Sequence, residues 1–233
     1  MAEEEEEEPN LNKQTSDDNL FFAIYTCPSF NQSSIYKIKI PGSEPFTVPC
    51  ELTFTGWTVI QRRVDGSENF ARNWTDYKNG FGDLSREFFI GLQKLHLMTS
   101  ARPHELYIKL GKIDGSTSFA HYDDFKIGSE AESFKLISVG KYSGTAGDSL
   151  KSRESYKFST FDRENDRSRD SCAVTHGGGW WYYACTYSML NGKYYKDGRV
   201  ESGKTYGIHW GSWQNDDWTI SLTFAEMMIR PKA

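Results

Sequence analysis

Between Asp162 and Asp170 the chain reads Asp-Arg-Glu-Asn-Asp-Arg-Ser-Arg-Asp, with an oxygen-bearing side chain at every second position. A hard cation such as calcium takes about six to eight oxygens, and a loop that offers alternate carboxylates and carbonyls can wrap it. This is not an EF-hand. Counted from Asp162, the sixth position is Arg167 where that loop needs glycine, and the twelfth is Ala173 where it needs glutamate. The competing reading is a solvated loop in which Arg163, Arg167 and Arg169 neutralise the acids.

Just downstream stand Cys172, His176, the run Trp180 to Tyr183, Cys185, Tyr187, Tyr194, Tyr195, Tyr206, Trp210, Trp213 and Trp218. Aromatic density in an irregular segment suits a shallow recognition surface, because planar faces stack on ligands at low entropy cost. Most of these rings are expected to form the core of a region poor in aliphatics, with one or two lining a pocket. No catalytic constellation accompanies them. His96, His104, His121, His176 and His209 are dispersed, and neither GxSxG nor HExxH occurs. An enzyme is therefore not expected.

The four cysteines, Cys27, Cys50, Cys172 and Cys185, contain no CxxC and lack zinc-finger spacing. Three pairings are open to them. The sequence-local one, Cys27 with Cys50 and Cys172 with Cys185, closes short loops worth on the order of 3 kcal/mol each and implies an oxidising compartment. The first residues carry neither the basic nor the apolar stretch of a signal peptide, so the expected extracellular setting rests on the cysteines.

The elements that must position these residues are legible in part. The 233 residues fit one large domain or two closely packed ones, and 15% of them are aromatic. Glu3 to Glu8 supply most of the acidity; the rest of the chain holds 27 basic against 26 acidic residues. A near-neutral body without a basic stripe argues against nucleic acid. The longest apolar run, Leu20 to Tyr25, is far too short for a membrane span.

Residues 1–19 read as a disordered acidic leader, and residues 20–233 as the folded domain. Strands are expected over Ile35–Ile40, Phe54–Gln61, Leu106–Leu110, Phe134–Val139 and, closing the chain, around Ile220, Leu222 and Phe224. A helix capped by Ser67 and ended by Gly80 should carry Phe70, Trp74 and Tyr77, and Ile90–Met98 should form another. Strands and helices are segregated, so the class is α+β with antiparallel pairing. Between Gly140 and Trp218 regular periods fade, and a loop region of that length is more often functional than filler. The run Gly177 to Gly179 lacks the strand and helix of a phosphate loop and reads as close backbone approach beside Trp180 and Trp181.

GWTVIQRR from Gly56, NFARNWTDYKNGFGDLSREFFIGLQKLH from Asn69, AHYDDF from Ala120, GTAGDSL from Gly144, FSTFDRENDRSRDSCAV from Phe158, GGWWYYAC from Gly178 and LNGKYY from Leu190 resemble the fibrinogen C-terminal domain. The family includes fibrinogen chains, ficolins, tachylectins, angiopoietins and tenascins, and the resemblance covers about residues 27 to 231. It implies a non-enzymatic binding fold with three subregions: about 20–60, stapled by Cys27 and Cys50; a central antiparallel sheet with short flanking helices, 61–140 plus a final strand in 218–230; and a loop-rich ligand and calcium region, 141–217.

The resemblance further implies calcium on the side chains of Glu164 and Asp166 and the carbonyls of Ser168 and Asp170, although the first ligand is typically Asp. Ficolin-like and tachylectin-like members hold an acetyl group beside the second disulfide. The matching positions are His176 where Tyr is usual, Cys185, Thr186 where His is usual, Lys204 and Thr205, with Trp218 at the rim. A cis peptide is implied between Ser171 and Cys172. Asn31 and Asn73 stand in glycosylation sequons, Asn31 being the better placed acceptor.

The leading expectation is a secreted calcium-dependent lectin for glycans or acetylated ligands, as in innate defence. The alternative is a module of the angiopoietin or tenascin kind that binds a protein receptor without a sugar pocket. The substituted pocket positions predict weak binding of N-acetylglucosamine. No collagen-like or coiled-coil segment is present, so association into a homo-oligomer stays open.

Overall fold

The computed structural model describes residues 26–28, 35–51, 53, 56–204 and 207–232. The acidic leader, the Leu20–Tyr25 run, Asn31 and Thr205 lie outside them.

Strands β1 (Ile35–Ile38) and β2 (Phe46–Pro49) form a hairpin, and the disulfide Cys27–Cys50 spans a Cα separation of 5.7 Å beside it. The main sheet is built from β3 (Thr58–Arg63), β4 (Phe81–Gly82), β5 (Phe88–Phe89), β6 (His104–Gly111), β7 (Thr117–Ile127), β8 (Leu136–Ser138), β9 (Tyr142–Gly144) and β12 (Phe224–Pro231). Its order is β4-β5-β3-β12-β6-β7-β8, with β9 also on β7, and every pairing is antiparallel. The fold is thus α+β, a curled antiparallel sheet with flanking helices. Two short strands, β10 (Ser188–Met189) and β11 (His209–Trp210), pair separately in the loop-rich part.

β6 shows why the period-two pattern specifies a strand. His104, Leu106, Ile108 and Leu110 point inward while Glu105, Tyr107 and Lys109 stay partly exposed, and each fully buried aliphatic is worth about 1.5–3 kcal/mol. Asp114 and Gly115 make the turn into β7: Asp114 accepts the Ser116 N–H at 2.9 Å, and Gly115 takes φ +83°. Helix α2 (Leu92–Ala101) packs on β7 through Leu92, Leu95 and Met98.

Two expectations are corrected here. Helix α1 is Trp74–Asn79, capped by the Asn73 Oδ1, which accepts the Asp76 N–H at 2.8 Å; Ser67 is not its cap. Residues 64–68 are held as a loop because the buried Glu87 Oε1 accepts the N–H groups of Val64, Asp65 and Gly66, leaving Phe70 ahead of the helix. The terminal strand is Phe224–Pro231, later than the Ile220–Phe224 alternation. Ser221 N donates to Gly198 O and Leu222 N to Ile208 O, so that backbone is committed to loops before the sheet is reached.

Arg63 runs from β3 into the interior, 1% exposed. Its Nη1 donates to Leu190 O at 3.2 Å and Gly192 O at 2.6 Å, its plane covers Phe70 at 3.8 Å, and Glu87 Oε2 lies 3.7 Å from Nε. One charged pair thereby ties the sheet to the loop-rich region.

Candidate functional site

Asp162 anchors the oxygen-rich loop, since its Oδ1 accepts the Trp74 N–H at 2.9 Å and the Thr160 hydroxyl at 2.7 Å. Glu164 Oε1 accepts the Asp166 N–H at 3.0 Å. Asp166 in turn accepts the Ser168 N–H on Oδ1 at 2.7 Å and the Cys172 N–H on Oδ2 at 3.0 Å. The two carboxyl groups are close enough to compete for one proton. Burial, then hydrogen bonding and repulsion from Glu164, pushes Asp166 up to about 6, against the Ser168 and Cys172 N–H groups. Burial opposes ionisation of Glu164 too, but the bonds from Ser171, Asp166 and Asn165 hold it below the usual carboxylate range.

Adjacent carboxylates that cannot both ionise comfortably suit a hard cation, which would neutralise both. All donors here are oxygens. Among the described residues no group of three or more His, Cys, Asp or Glu could hold a metal, so a cation at this loop would need the Ser168 and Asp170 carbonyls as well as the two carboxylates. The residues present fit that requirement in kind.

Asp166 joins this loop to helix α3 (Cys172–His176), capped by Ser171, whose Oγ accepts the Val174 N–H at 3.3 Å, and ended by Gly177 at φ +69°. The disulfide Cys172–Cys185, with Cα atoms 5.4 Å apart, fixes the opposite strand of chain against it. The cis peptide lies at Ala184–Cys185, not at Ser171–Cys172; Ser171 instead has extended backbone that caps α3, its carbonyl accepting the Thr175 N–H at 3.0 Å.

His176, nearly buried, lies against Tyr182 at 5.8 Å and Trp218 at 5.1 Å between ring centroids. Trp218 also stacks on His209 of β11 at 3.6 Å. Thr186 does not face this cluster as a free hydroxyl, since its Oγ1 donates to Ser188 O at 2.7 Å and accepts the Ser188 N–H at 3.3 Å. Lys204 is exposed, its N–H bonded to Glu201 O. The expected pocket residues are thus brought together in part: His176 with Trp218, and Cys185 with Thr186 as its chain neighbour. Asn73, as the α1 cap, has its Oδ1 engaged.

His209 escaped sequence reasoning, because a lone histidine between Ile208 and Trp210 gives no periodic signal. It is fully buried and neither ring nitrogen has a hydrogen-bond partner. Burial first, then the charge of His176, against Asp217, pushes it down to about 3. A folded pKa below the unfolded value near 6.5 favours the neutral ring, so this contribution is complete above pH 6.5 and shrinks as pH falls toward 3. At pH 4.5 the expected loss is about 2–3 kcal/mol. His209→Phe keeps a ring against Trp218 without titrating; its melting temperature should fall less than wild type between pH 7.5 and 4.5, and parallel profiles would exclude His209 as the cause.

Trp180, Trp181 and Tyr182 are core. Gly178 and Gly179 permit it: a Cβ on Gly179 would sit 2.6 Å from Phe158 Cε1 and 2.8 Å from Tyr77 Cε2. Tyr183 and Tyr187 instead are 40% and 54% exposed. Tyr183 stacks on Tyr156 at 4.9 Å, Arg153 reaches toward Tyr156 and Tyr187 and donates to Cys185 O at 3.2 Å, and Arg167 lies 5.7 Å from the Tyr183 ring. Tyr183, Tyr187 and Arg167 therefore lie on the solvent side near the second disulfide, with Arg153 buried behind them.

Residues 28–232 match the family described as fibrinogen beta and gamma chains, C-terminal globular domain. The chain belongs to the fibrinogen C-terminal domain family. Fibrinogen-like protein 1 of Bos taurus is 41% identical over 218 residues, 87% of this chain and 69% of that protein. Fibrinogen C domain-containing protein 1 of Mus musculus is 40% identical over 205 residues, 85% of this chain but only 43% of that protein. The fibrinogen-like globe domain of human ANGPTL2 superimposes with a TM-score of 0.83 at 39% identity, covering 86% of this chain and 93% of that one. The lamprey fibrin D-dimer complexed with the peptide Gly-His-Arg-Pro-amide gives 0.81 at 34% identity, covering 86% and 70%. This fibrinogen C-terminal domain is a recognition module of a non-catalytic family. No helix among the described residues is long and apolar enough to cross a membrane.

Proposed function

We propose that this domain acts outside the cell by binding a protein partner through the tyrosine and arginine face around Cys172–Cys185, with calcium bracing the 164–170 loop beneath it. The observation that carries the reading is the exposure of Tyr183 and Tyr187 together with Arg167, the buried Arg153 bracing Tyr187 from within, since tyrosine and arginine dominate the energetic centres of protein interfaces. The lamprey relative's peptide complex and the likeness to the ANGPTL2 globe support it. Two disulfides agree with an oxidising compartment. A ficolin-like or tachylectin-like acetyl pocket has less support, because Thr186 is spent on Ser188 and Trp218 lies between His176 and His209.

The test is a binding screen of the domain against extracellular receptor domains, with N-acetylglucosamine and acetate as competitors. Tyr187→Ala should weaken a captured receptor at least tenfold, the scale of an interface centre. Binding that is insensitive to Tyr187→Ala and Tyr183→Ala yet abolished by N-acetylglucosamine would replace this reading by the lectin one.

Calcium, held by the Glu164 and Asp166 carboxylates and the Ser168 and Asp170 carbonyls, would supply charge neutralisation and rigidity to the loop. A ligand at about 100 times its Kd stabilises the folded state by about 2.7 kcal/mol. Millimolar calcium should therefore raise the melting temperature, chelator should reverse it, and Asp166→Ala should remove the response. A melting temperature flat across the titration would leave the arginine-neutralised loop as the correct description.

A further inference from the structure

A cavity of about 450 Å³ opens between the 66–71 loop and the 193–194 segment, with Gly177 on its wall. None of the positions assigned to the calcium loop or the tyrosine face lines it. Its floor includes Arg63, which is 1% exposed and whose Nε has no hydrogen-bond partner. The nearest counter-charge, Glu87, is heavily engaged by the backbone. Glu87 Oε2 lies 3.7 Å away and accepts the Glu68 N–H at 3.3 Å, while Oε1 accepts three more N–H groups, from Val64, Asp65 and Gly66. Glu87 remains the principal counter-charge to Arg63, but both its oxygens are occupied by backbone N–H groups, so the Arg63 Nε–H is left without an acceptor at hydrogen-bond distance.

The rest of the wall suits a polar ring. Lys193 adds a second cation at the mouth, paired with the exposed Glu201 at 2.9 Å and lying 4.9 Å from the Tyr195 ring. Asn69, whose Oδ1 is taken by the Ala71 N–H at 3.0 Å, keeps its amide nitrogen as a donor. Tyr194 is held as an apolar side by its hydroxyl, which donates to Val64 O at 3.0 Å, and by contact with Gly66, where a Cβ would fall 2.8 Å from the ring. Glu68, the one acid on the wall, is neutralised by Arg72 at 2.6 Å. The volume lies within the range of small-molecule sites, about 300–1,000 Å³, and far exceeds what a bare carboxylate fills.

We propose that this cavity is a second ligand site that takes an acidic monosaccharide of hexuronate type, its carboxylate directed to Arg63 and Lys193 and its hydroxyls to Asn69. The site stands apart from the protein-binding face and does not depend on it. Ligand-observed NMR and calorimetry on the whole chain would use glucuronate, glucose and acetate as probes. Glucuronate should bind saturably, with glucose and acetate each at least tenfold weaker. Lys193→Glu and Ala71→Trp, both at exposed positions, should each weaken glucuronate at least tenfold while leaving the melting temperature and the Tyr187-dependent binding unchanged; His176→Ala should leave glucuronate binding intact. Equal binding of glucose would overturn the charge selectivity, equal binding of acetate would overturn the sugar, and no glucuronate binding, or binding indifferent to both wall variants, would overturn the site.

Discussion

Glu87→Gln lowers the stability of the domain by about 3–5 kcal/mol, the range expected when one member of a buried ion pair is removed. Glu87 and Arg63 are 0% and 1% exposed. Glutamine preserves size but removes the carboxylate charge paired with the Arg63 guanidinium, and its amide NH₂ cannot accept the N–H groups that the carboxylate takes with both oxygens. Burial already presses the Arg63 pKa downward, opposed chiefly by Glu87, so the variant leaves a desolvated cation. Urea denaturation at neutral pH measures the loss. In a double-mutant cycle, Arg63→Met with Glu87→Leu should lose at least 1 kcal/mol less than the sum of the single changes, because neither charge is then stranded. A single-variant loss under about 1 kcal/mol would mean that Leu190, Gly192 and Phe70 compensate Arg63 without Glu87.

Removing the second disulfide is the next largest effect. Cys172→Ser with Cys185→Ser should cost about 3 kcal/mol, the loop-entropy value for a closure of this size, the cysteines being 13 positions apart. The damage should also be local. Asp166 Oδ2 accepts the Cys172 N–H and Arg153 donates to Cys185 O, so the calcium response and the Tyr187-dependent binding should weaken together. Cys27→Ser with Cys50→Ser should cost a similar stability yet spare both responses. If binding and the calcium response survive loss of Cys172–Cys185 at a temperature where the protein is folded, the disulfide is only a global staple.

The contrast between these residues shows what a sequence exposes. Leu106, Ile108 and Leu110 announce β6 because alternation is local, and Glu164 and Asp166 announce an oxygen-rich loop because their spacing is local. β7, the longest strand among the described residues, passes unnoticed: its inward face opens on the small Ser118 and Ala120, and the adjacent Asp123 and Asp124 break the alternation before Phe125 and Ile127, so its identity comes from pairing with β6, β8 and β9. The Ile220–Phe224 alternation misleads because its backbone partners are Gly198 and Ile208. Gln61 and Asn191 meet at 3.1 Å across 130 positions, and Arg63, His209 and Trp218 owe their roles to similarly distant neighbours. Such contacts exist only once the topology is formed. The family resemblance pointed to the oxygen-rich loop and to His176, but their partners, the Cys172 N–H on Asp166 and the Trp218 ring beside His176, are displayed only by the fold.

The position of β12 bears on how the chain is made. It is the last strand in sequence, yet it lies between β3 and β6 and hydrogen-bonds to both. Until residues near Pro231 leave the ribosome, the two halves of the sheet have no shared member and each keeps an open edge. Closure thus waits for synthesis of everything that precedes β12, a late segment being inserted between two waiting strands with long-range pairing of the kind that folds slowly. During that interval the unpaired edges of β3 and β6 are the surfaces on which a chaperone would act and from which misassembly between neighbouring nascent chains would begin.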